Sequence, residues 1–270
     1  MIPKDFVTEW RARAPWSDDA QVEQDLVICR ALVDIFSHPV LNAALAFRGG
    51  TALYKLFLKP AARYSEDIDL VQIRAEPAGD VIGHLRTVLD PWLGQAKWKQ
   101  SEGRVTLTYR FESEGPPAIP LRLKIEINTR EHFTVLGYTD VPFSVESRWF
   151  TGNCLIKTYQ LDELLGTKLR ALYQRRKGRD LFDMHIALAE GRADPERVVA
   201  AFEHYMEAEE HRVTRAVFEE NLAGKMADAR FLSDIPPLLT ADQTWEPLAA
   251  ADAVAGTLIA RLHGDPWKGT

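Results

Sequence analysis

Two aspartates separated by one residue, Asp67 and Asp69, are the side chains of this chain best placed for catalysis. They lie in the run SEDIDLV at 65–71, whose pattern predicts a strand. Because side chains alternate between the two faces of a strand, both carboxylates point the same way while Ile68 and Leu70 enter the core. Two ionised carboxylates repel each other unless a cation neutralises them, and such oxygen ligands suit magnesium. The spacing therefore predicts a magnesium-binding pair, and the alternative is a solvated strand end.

A glycine pair, Gly49 and Gly50, precedes a segment from Thr51 to Leu58 with helical spacing of its apolar residues. Glycines ahead of a helix present backbone N–H groups without an intervening Cβ, which suits an anion such as a triphosphate. An anion seat near a carboxylate pair is what nucleotidyl transfer from a nucleoside triphosphate requires, because metal ions neutralise the reacting phosphates. We therefore predict Gly49, Gly50 and Thr51 as nucleotide-binding residues.

A third carboxylate is expected on a neighbouring strand. The segment from Leu121 to Asn128 alternates between apolar and polar residues, and Glu126 is the one acid inside it. A two-metal site usually needs a third carboxylate, and Glu126 would supply it if the two strands are adjacent in the sheet. The alternative is an exposed glutamate beside a lysine.

After residue 160 the sequence predicts helices only. Lys168 falls inside the apolar stripe of the first of them rather than opposite it. That stripe consists of Leu161, Leu164, Leu165 and Leu172. Either the lysine snorkels along the surface or its ammonium is held toward an anionic ligand. Asp180 and Asp183 share one face of the next helix, where they either cap it or orient Lys168 or an arginine through a salt link.

The charge distribution argues against a generally basic nucleic-acid binder, because the formal net charge is -6. Any contact with nucleic acid must therefore be local. One dense basic segment follows Lys168 and contains Arg175, Arg176, Lys177 and Arg179. We predict this segment as an RNA contact, and the alternative is a solvated helix end whose cations interact favourably with the helix dipole.

Length and composition bound the organisation of the chain. With 270 residues and 46% hydrophobic content, it can build one domain with a sizeable core and a second lobe. We place the boundary between a domain at 1–158 and a helical domain at 159–270. No apolar run approaches 18 residues and the first residues do not form a signal peptide, so we expect a soluble cytoplasmic protein without a membrane partner. Cys29 and Cys154 are predicted to be reduced thiols.

Five short segments form an ordered set between about residues 45 and 190. They are FRGGTAL at 47–53, RYSEDID at 63–69, KIEI at 124–127, KLRAL at 168–172 and RDLFD at 179–183. This set resembles the AbiEii/AbiGii toxin family of nucleotidyltransferases, which are the toxin halves of type IV toxin–antitoxin systems in abortive infection. The C-terminal helices contribute no motif to the resemblance.

The resemblance implies an α+β fold of the polymerase-β-like nucleotidyltransferase type, a twisted mixed sheet flanked by helices and followed by a helical lobe. By motif position, it implies Ser65 and Lys168 as triphosphate ligands, Asp67 and Asp69 as magnesium ligands, and either Asp180 or Asp183 as the later acidic residue. Some members of the family add nucleotides, pyrimidines in particular, to the 3′ end of tRNA and so stop translation. The implied partners are thus Mg²⁺, an NTP, tRNA and a cognate antitoxin encoded nearby, without an obligatory direct complex.

Two other functions remain open at this point. The metal site contacts only the triphosphate, so transfer to a protein or a small molecule fits the same residues, although the basic segment favours RNA. A catalytically silent member that binds a partner is a third possibility. Degenerate relatives usually lose an acid of the metal pair, and this chain retains both Asp67 and Asp69.

Overall fold

The chain forms two compact units in the computed structural model, which describes residues 2–114 and 117–269. The first unit comprises Met1–Thr134 and Tyr138–Tyr159, and the second comprises Val135–Gly137 and Gln160–Thr270. In the described part of the chain, all strands belong to the first unit and the second unit is helical.

The first unit is a seven-stranded mixed sheet with helices. Its strands are β1 (Leu45–Arg48), β2 (Asp67–Gln72), β3 (Lys97–Ser101), β4 (Arg104–Glu112), β5 (Pro120–Asn128), β6 (Tyr138–Glu146) and β7 (Thr151–Tyr159). Their order across the sheet is β3-β4-β5-β2-β1-β7-β6. The helices are α1 (Lys4–Trp10), α2 (Asp19–Ser37), α3 (Pro39–Ala44), α4 (Gly49–Ala52), which continues into a π-helical turn at Leu53–Phe57, and α5 (Gly79–Leu93). The predicted mixed α/β class is confirmed.

Strand β2 lies between β1 and β5, which meets the condition set for Glu126. It pairs with β5 in parallel, so that Asp67 lies opposite Lys124 and Asp69 lies opposite Glu126. It pairs with β1 in the antiparallel sense, and Arg48 lies opposite Asp69. Because paired residues of neighbouring strands point to the same face, the register gathers the three acids and Lys124 on one face of the sheet.

The opposite face of these strands forms the core. Ile68, Leu70 and Ile125 are at most 1% exposed there. Helix α2 packs on that face through Phe36, whose ring lies 6.3 Å from that of Phe47 in β1. Each fully buried side chain of this size contributes roughly 1.5–3 kcal/mol to the free energy of folding. This burial prevents β2 from turning its acids inward, since a rotation of the strand would expose its apolar side.

Strand β3 was not predicted from the sequence. All five of its residues are exposed, and it pairs only with β4, at the edge of the sheet. A strand that buries neither face shows no alternation of apolar and polar residues, so periodicity cannot reveal it. Its lysines are typical of edge strands, where charge discourages pairing with another chain.

The second unit consists of α6 (Leu161–Gln174), α7 (Gly178–Ala189), α8 (Pro195–Glu207), α9 (Arg215–Met226), α10 (Ala229–Leu232) and α11 (Pro247–Thr257). The short piece Val135–Gly137 is attached to it by Glu163, a fully buried residue of α6. The Glu163 carboxylate accepts the backbone N–H groups of Val135 and Leu136, each at 2.8 Å, and the Tyr205 hydroxyl at 2.9 Å. Of the helices that the structure describes, none is both long enough and apolar enough to cross a membrane.

A buried ion pair connects α2 to the helical turn after the glycine pair. The Asp25 carboxylate, in a residue 2% exposed, accepts a hydrogen bond from Lys55 Nζ at 2.6 Å and from the Trp10 indole N–H at 3.0 Å. Burial lowers the pKa of Lys55, but the charge of Asp25 outweighs it and the net shift is upward. Burial also raises the pKa of the neighbouring Cys29 thiol to about 12, so that this cysteine is protonated and unreactive.

We predict that Asp25→Asn lowers the free energy of unfolding by about 3–5 kcal/mol, because it leaves the Lys55 ammonium buried without its counter-charge. Urea denaturation measures the change. The control is Glu102→Gln, whose side chain is 91% exposed and paired with Arg130, and whose effect is expected within about 0.5 kcal/mol. Equal effects of the two substitutions would contradict a stabilising role for the buried pair.

Candidate active site

Gly49 and Gly50 form the first turn of α4, directly after β1. Gly49 has a φ of +82°, which L residues rarely adopt, and a Cβ added there would lie 2.2 Å from Asp69 Oδ2. A Cβ on Gly50 would lie 2.6 Å from Arg63 Nη2 and 3.3 Å from Ser65 Oγ. The fold therefore brings the predicted phosphate seat into contact with one of the predicted metal ligands. Gly49 must be glycine because of its φ and this contact, whereas a Cβ at Gly50 would displace the end of the Arg63 side chain.

The hydroxyl groups of Thr51 and Ser65 have defined roles in this turn. Thr51 Oγ1 lies 2.5 Å from the carbonyl oxygen of Asp67, which can only accept, so Thr51 donates its single hydroxyl hydrogen there. Its contact with Ser65 Oγ at 2.8 Å must then have Ser65 as donor. Thr51 is 1% exposed and fastens α4 to β2. Ser65 is half-buried, and it can donate to a ligand once its hydroxyl turns away from Thr51.

Lys124 lies between the carboxylates on the acidic face. Its Nζ is 3.0 Å from Asp67 Oδ2 and 3.6 Å from Glu126 Oε2. Burial lowers the pKa of Lys124, but the hydrogen bond to Asp67 and the charges of Asp67, Glu126 and Asp69 outweigh burial and raise the pKa overall. The other oxygen of Glu126 lies 3.6 Å from Arg104 Nη1. The carboxylates thus create a negative potential that already attracts cationic side chains.

The carboxylates of the acidic face fit a magnesium ion that has only two protein ligands. Within residues 2–114 and 117–269, no three His, Cys, Asp or Glu side chains are grouped so as to hold a metal ion. Asp67 and Asp69 offer two carboxylates on one face, whereas the Glu126 oxygens lie near Lys124 and Arg104. Protein-bound Mg²⁺ often has only one or two carboxylate ligands, with substrate phosphates and waters completing its shell. The residues therefore fit magnesium that binds together with a nucleotide.

Two arginines beside the turn, one buried and one half-buried, were not identified as site residues from the sequence. Arg63 is 2% exposed, stacks 5.1 Å from the Tyr54 ring centre and donates to the carbonyl of Tyr64 at 2.9 Å. Arg48 forms an ion pair with Glu131. Burial lowers the pKa of Arg48, but nearby acids, Glu131 first, outweigh it. Both side chains add positive charge next to the glycine pair. Periodicity of the sequence could not identify them, because Arg63 lies in a loop and Arg48 ends a four-residue strand.

Lys168, Asp180 and Asp183 meet inside the second unit. Lys168 Nζ lies 3.1 Å from Asp180 Oδ1 and 3.0 Å from Asp183 Oδ2. Both aspartates are fully buried and the lysine is 6% exposed, so the lysine does not snorkel. Arg175 donates two hydrogen bonds to Asp180, at 2.6 and 2.8 Å. The positive charges of Lys168 and Arg175 balance the negative charges of the two aspartates. Both aspartates orient Lys168.

The ionisation of this cluster follows from its contacts. Burial raises the pKa of Asp180, but the charge of Lys168 and the hydrogen bonds and charge of Arg175 outweigh it, so the pKa lies below its ordinary value. An ammonium group has three N–H donors. Two of them face the aspartates, which leaves one for an anionic ligand.

The basic segment predicted to contact RNA is paired with acids of its own unit. Arg175 contacts Asp180, Arg176 Nη1 lies 3.3 Å from Asp228 Oδ2, and Lys177 and Arg179 lie 3.6 and 3.7 Å from Asp234 oxygens. An RNA phosphate would have to compete with these carboxylates. The RNA role of the segment stays a prediction.

The fold matches that of a known nucleotidyltransferase. MenT4, a nucleotidyltransferase toxin from Mycobacterium tuberculosis H37Rv, superposes with a TM-score of 0.72 over 97% of this chain and 91% of its own, at 16% identity. At this identity the likeness shows the fold. An antigenic nucleotidyltransferase-like protein from Paracoccidioides brasiliensis superposes with a TM-score of 0.38, over 67% of this chain and 88% of its own, at 16% identity. No curated protein sequence matches the chain.

The family follows from the sequence. The family model described as nucleotidyl transferase AbiEii toxin, type IV toxin–antitoxin system, matches residues 30–254. The chain therefore belongs to the AbiEii family of nucleotidyltransferase toxins, as its motifs predicted. Membership in a type IV toxin–antitoxin family implies an antitoxin partner.

We expect Gly49→Ala to lower the free energy of unfolding by at least about 1–2 kcal/mol, the cost of a non-glycine residue in the left-handed region, because its Cβ also meets Asp69. Gly83→Ala is the matched control, since it lies in α5 with no atom within 4 Å of the added Cβ. That control should gain up to about 1 kcal/mol from helix propensity. Urea unfolding of both variants measures the change in stability. A Gly49→Ala variant as stable as the parent would refute the requirement for glycine at this position.

Asp180 should make the stability of the chain depend on acid pH. Its pKa is lower in the folded chain than the ordinary value of about 3.9, so its stabilising effect is present above about pH 4 and is lost as pH falls through the depressed pKa. Asp180→Asn is expected to lower the free energy of unfolding at pH 7 by about 3–5 kcal/mol and to flatten its decline between about pH 5 and pH 3.

Urea denaturation at several pH values measures this dependence. Asp252→Asn, at an exposed position of α11, is the control and should follow the parent. If Asp180→Asn declines with pH as steeply as the parent does, the buried ion pair is not the source of the dependence.

Proposed function

We propose that this chain is a magnesium-dependent nucleotidyltransferase toxin that transfers nucleotides from an NTP to the 3′ end of tRNA and so blocks translation. The observation that carries the proposal is the contact between the glycine turn and the acidic face: a Cβ on Gly49 would lie 2.2 Å from Asp69 Oδ2. A triphosphate on the turn would therefore lie beside the carboxylate pair. Family membership supports the reaction class, and the tRNA acceptor follows from what the family resemblance implies. The cytoplasmic location stays the expectation drawn from the sequence.

Different residues of the first unit are assigned to the phosphates and to magnesium. The backbone N–H groups of Gly49 and Gly50 would bind a phosphate without a Cβ in the way, and the Ser65 hydroxyl could donate to it. Arg63 lies against the turn from beneath and adds positive charge to it. Magnesium held by Asp67 and Asp69 would neutralise phosphate charge and lower the pKa of the attacking RNA hydroxyl.

Lys124 acts as the counter-charge of the acidic face before substrate binds. Its ammonium contacts Asp67 and lies near Glu126, so it offsets the repulsion between the two carboxylates and orients both of them. Glu126 is opposite Asp69 in register, so it is our candidate for a third, auxiliary carboxylate.

In the second unit we assign Lys168 to phosphate binding. Asp180 and Asp183 hold its ammonium at about 3 Å each, so that the remaining N–H points in a fixed direction. The cognate antitoxin is expected to be encoded nearby and to act without an obligatory complex.

The decisive experiment is transfer of label from each of the four NTPs to total tRNA in the presence of magnesium. We expect the parent to label RNA, and chelation of magnesium to abolish labelling. Asp69→Asn should slow transfer at least about 1,000-fold, because metal binding supplies several kcal/mol and each 1.36 kcal/mol is a factor of ten.

The control variant is Asp140→Asn, at an exposed residue of β6 whose carboxylate lies 3.5 Å from Lys157. Its rate should stay within about twofold of the parent, since surface ion pairs contribute little. Label on a protein or a small molecule instead of RNA would show a different acceptor. Equal rates for the two variants would remove the carboxylate pair from the mechanism.

A further inference from the structure

Four basic residues from three strands share the face of the sheet that carries the acids. They are Lys97, Lys99, Arg110 and Arg122, and we name them the sheet-face cations. Lys99 in β3 lies opposite Thr106 in β4, which lies opposite Glu126 in β5. Arg110 lies directly opposite Arg122. Because cross-strand partners point to the same face, the register aligns these cations with Glu126 and, through it, with Asp69.

The sheet-face cations differ from the basic segment of the second unit in their partners. All four are exposed, and none has a carboxylate within 4.0 Å among the residues that the structure describes, whereas Arg175, Arg176, Lys177 and Arg179 each have one. Like charges directly opposite each other, as in the pair Arg110 and Arg122, destabilise a sheet. A bound polyanion would offset that repulsion.

The position of the sheet-face cations suits a chain of phosphates that leads to the acids. From β2, which carries Asp67 and Asp69, to β3 at the edge there are three strand spacings, roughly 14 Å. The cations lie on β5, β4 and β3, so positive charge extends from the acidic centre to the edge of the sheet. The acids themselves would repel a phosphate backbone except where a cation neutralises them.

The chemistry of this face favours nucleic acid over a protein partner. The apolar side chains of β4 and β5, such as Leu107 and Ile125, point to the core, and exposed Trp98 alternates with the two lysines of β3. The centre of a protein–protein interface is usually rich in aromatic residues and poor in charge. Interfaces with nucleic acid are more polar and strongly positive.

We propose that the open face of β3, β4 and β5 binds the phosphodiester backbone of the acceptor RNA through Lys97, Lys99, Arg110 and Arg122. The inference rests on the proposed function, because it assigns the surface that presents RNA to the acidic centre. Binding through phosphates is independent of base sequence, so this face sets affinity and position.

The test compares RNA binding by two double variants that lose the same charge. Arg110→Gln with Arg122→Gln removes two sheet-face cations. Arg13→Gln with Arg86→Gln removes two arginines whose side chains are 52% and 42% exposed and which pair with Glu146 and Asp90. Fluorescence anisotropy with a 5′-labelled tRNA transcript, from 50 to 200 mM salt, gives Kd and its salt dependence.

We expect the sheet-face double variant to bind RNA at least about tenfold more weakly, with a slope of log Kd against log salt reduced by about two, since each phosphate contact contributes about 0.9. Adding Lys97→Gln and Lys99→Gln should reduce the slope by about two more. The Arg13→Gln, Arg86→Gln variant should match the parent. Arg110→Lys with Arg122→Lys should keep most of the binding, because a phosphate accepts either cation, and this variant separates lost charge from lost folding.

The outcomes separate this proposal from the proposed function. If the parent labels tRNA and the sheet-face variant binds and uses tRNA as the parent does, the surface assignment is overturned and the enzymatic function stands. If the parent labels no RNA but the variant still loses RNA affinity as expected, the surface assignment stands and the function fails. Binding of phosphatidylserine vesicles in place of tRNA would overturn the assignment to RNA.

Discussion

Repulsion between carboxylates held on one face of a sheet is the constraint on which this structure depends. Asp67 and Asp69 cannot turn away from each other, because the residues between and after them, Ile68 and Leu70, are buried in the core. The chain accommodates this charge with Lys124 between the acids and Arg48 opposite Asp69. The glycine turn then lies so close to Asp69 that a side chain at Gly49 has no room. Such a face suits the cation and the triphosphate that we propose as its ligands.

The second unit contains a buried cation rather than clustered acids. Lys168 lies in an apolar stripe, and burial of an ammonium there is tolerable only because Asp180 and Asp183 both contact it. Arg175 completes the balance of charge. In each unit by itself, ionisable residues that the sequence singled out contact groups of opposite charge.

The other basic residues of the chain differ in whether they have acidic partners. The chain is acidic overall, yet among residues 2–114 and 117–269 the four sheet-face cations have no carboxylate within 4.0 Å, while the densest basic segment of the sequence is paired with Asp180, Asp228 and Asp234. Density along the sequence therefore does not show which basic residues have acids nearby in space. The four sheet-face cations come from strands up to about 25 residues apart, and no window of the sequence displays them together.

The spacing of residues along the sequence was sufficient to predict several of the candidate site residues and the family. Alternation placed Asp67 and Asp69 on one face and Glu126 on the outward side of its strand, helical spacing put Lys168 within an apolar stripe, and ordered motifs revealed the family. Strand order and register required the folded chain: the parallel pairing of β2 with β5, the edge strand β3, and the partners of the basic residues. The physical reason is that periodicity records which face a side chain takes within its own element. Which elements meet, and which charges they neutralise, depends on contacts between residues far apart in sequence.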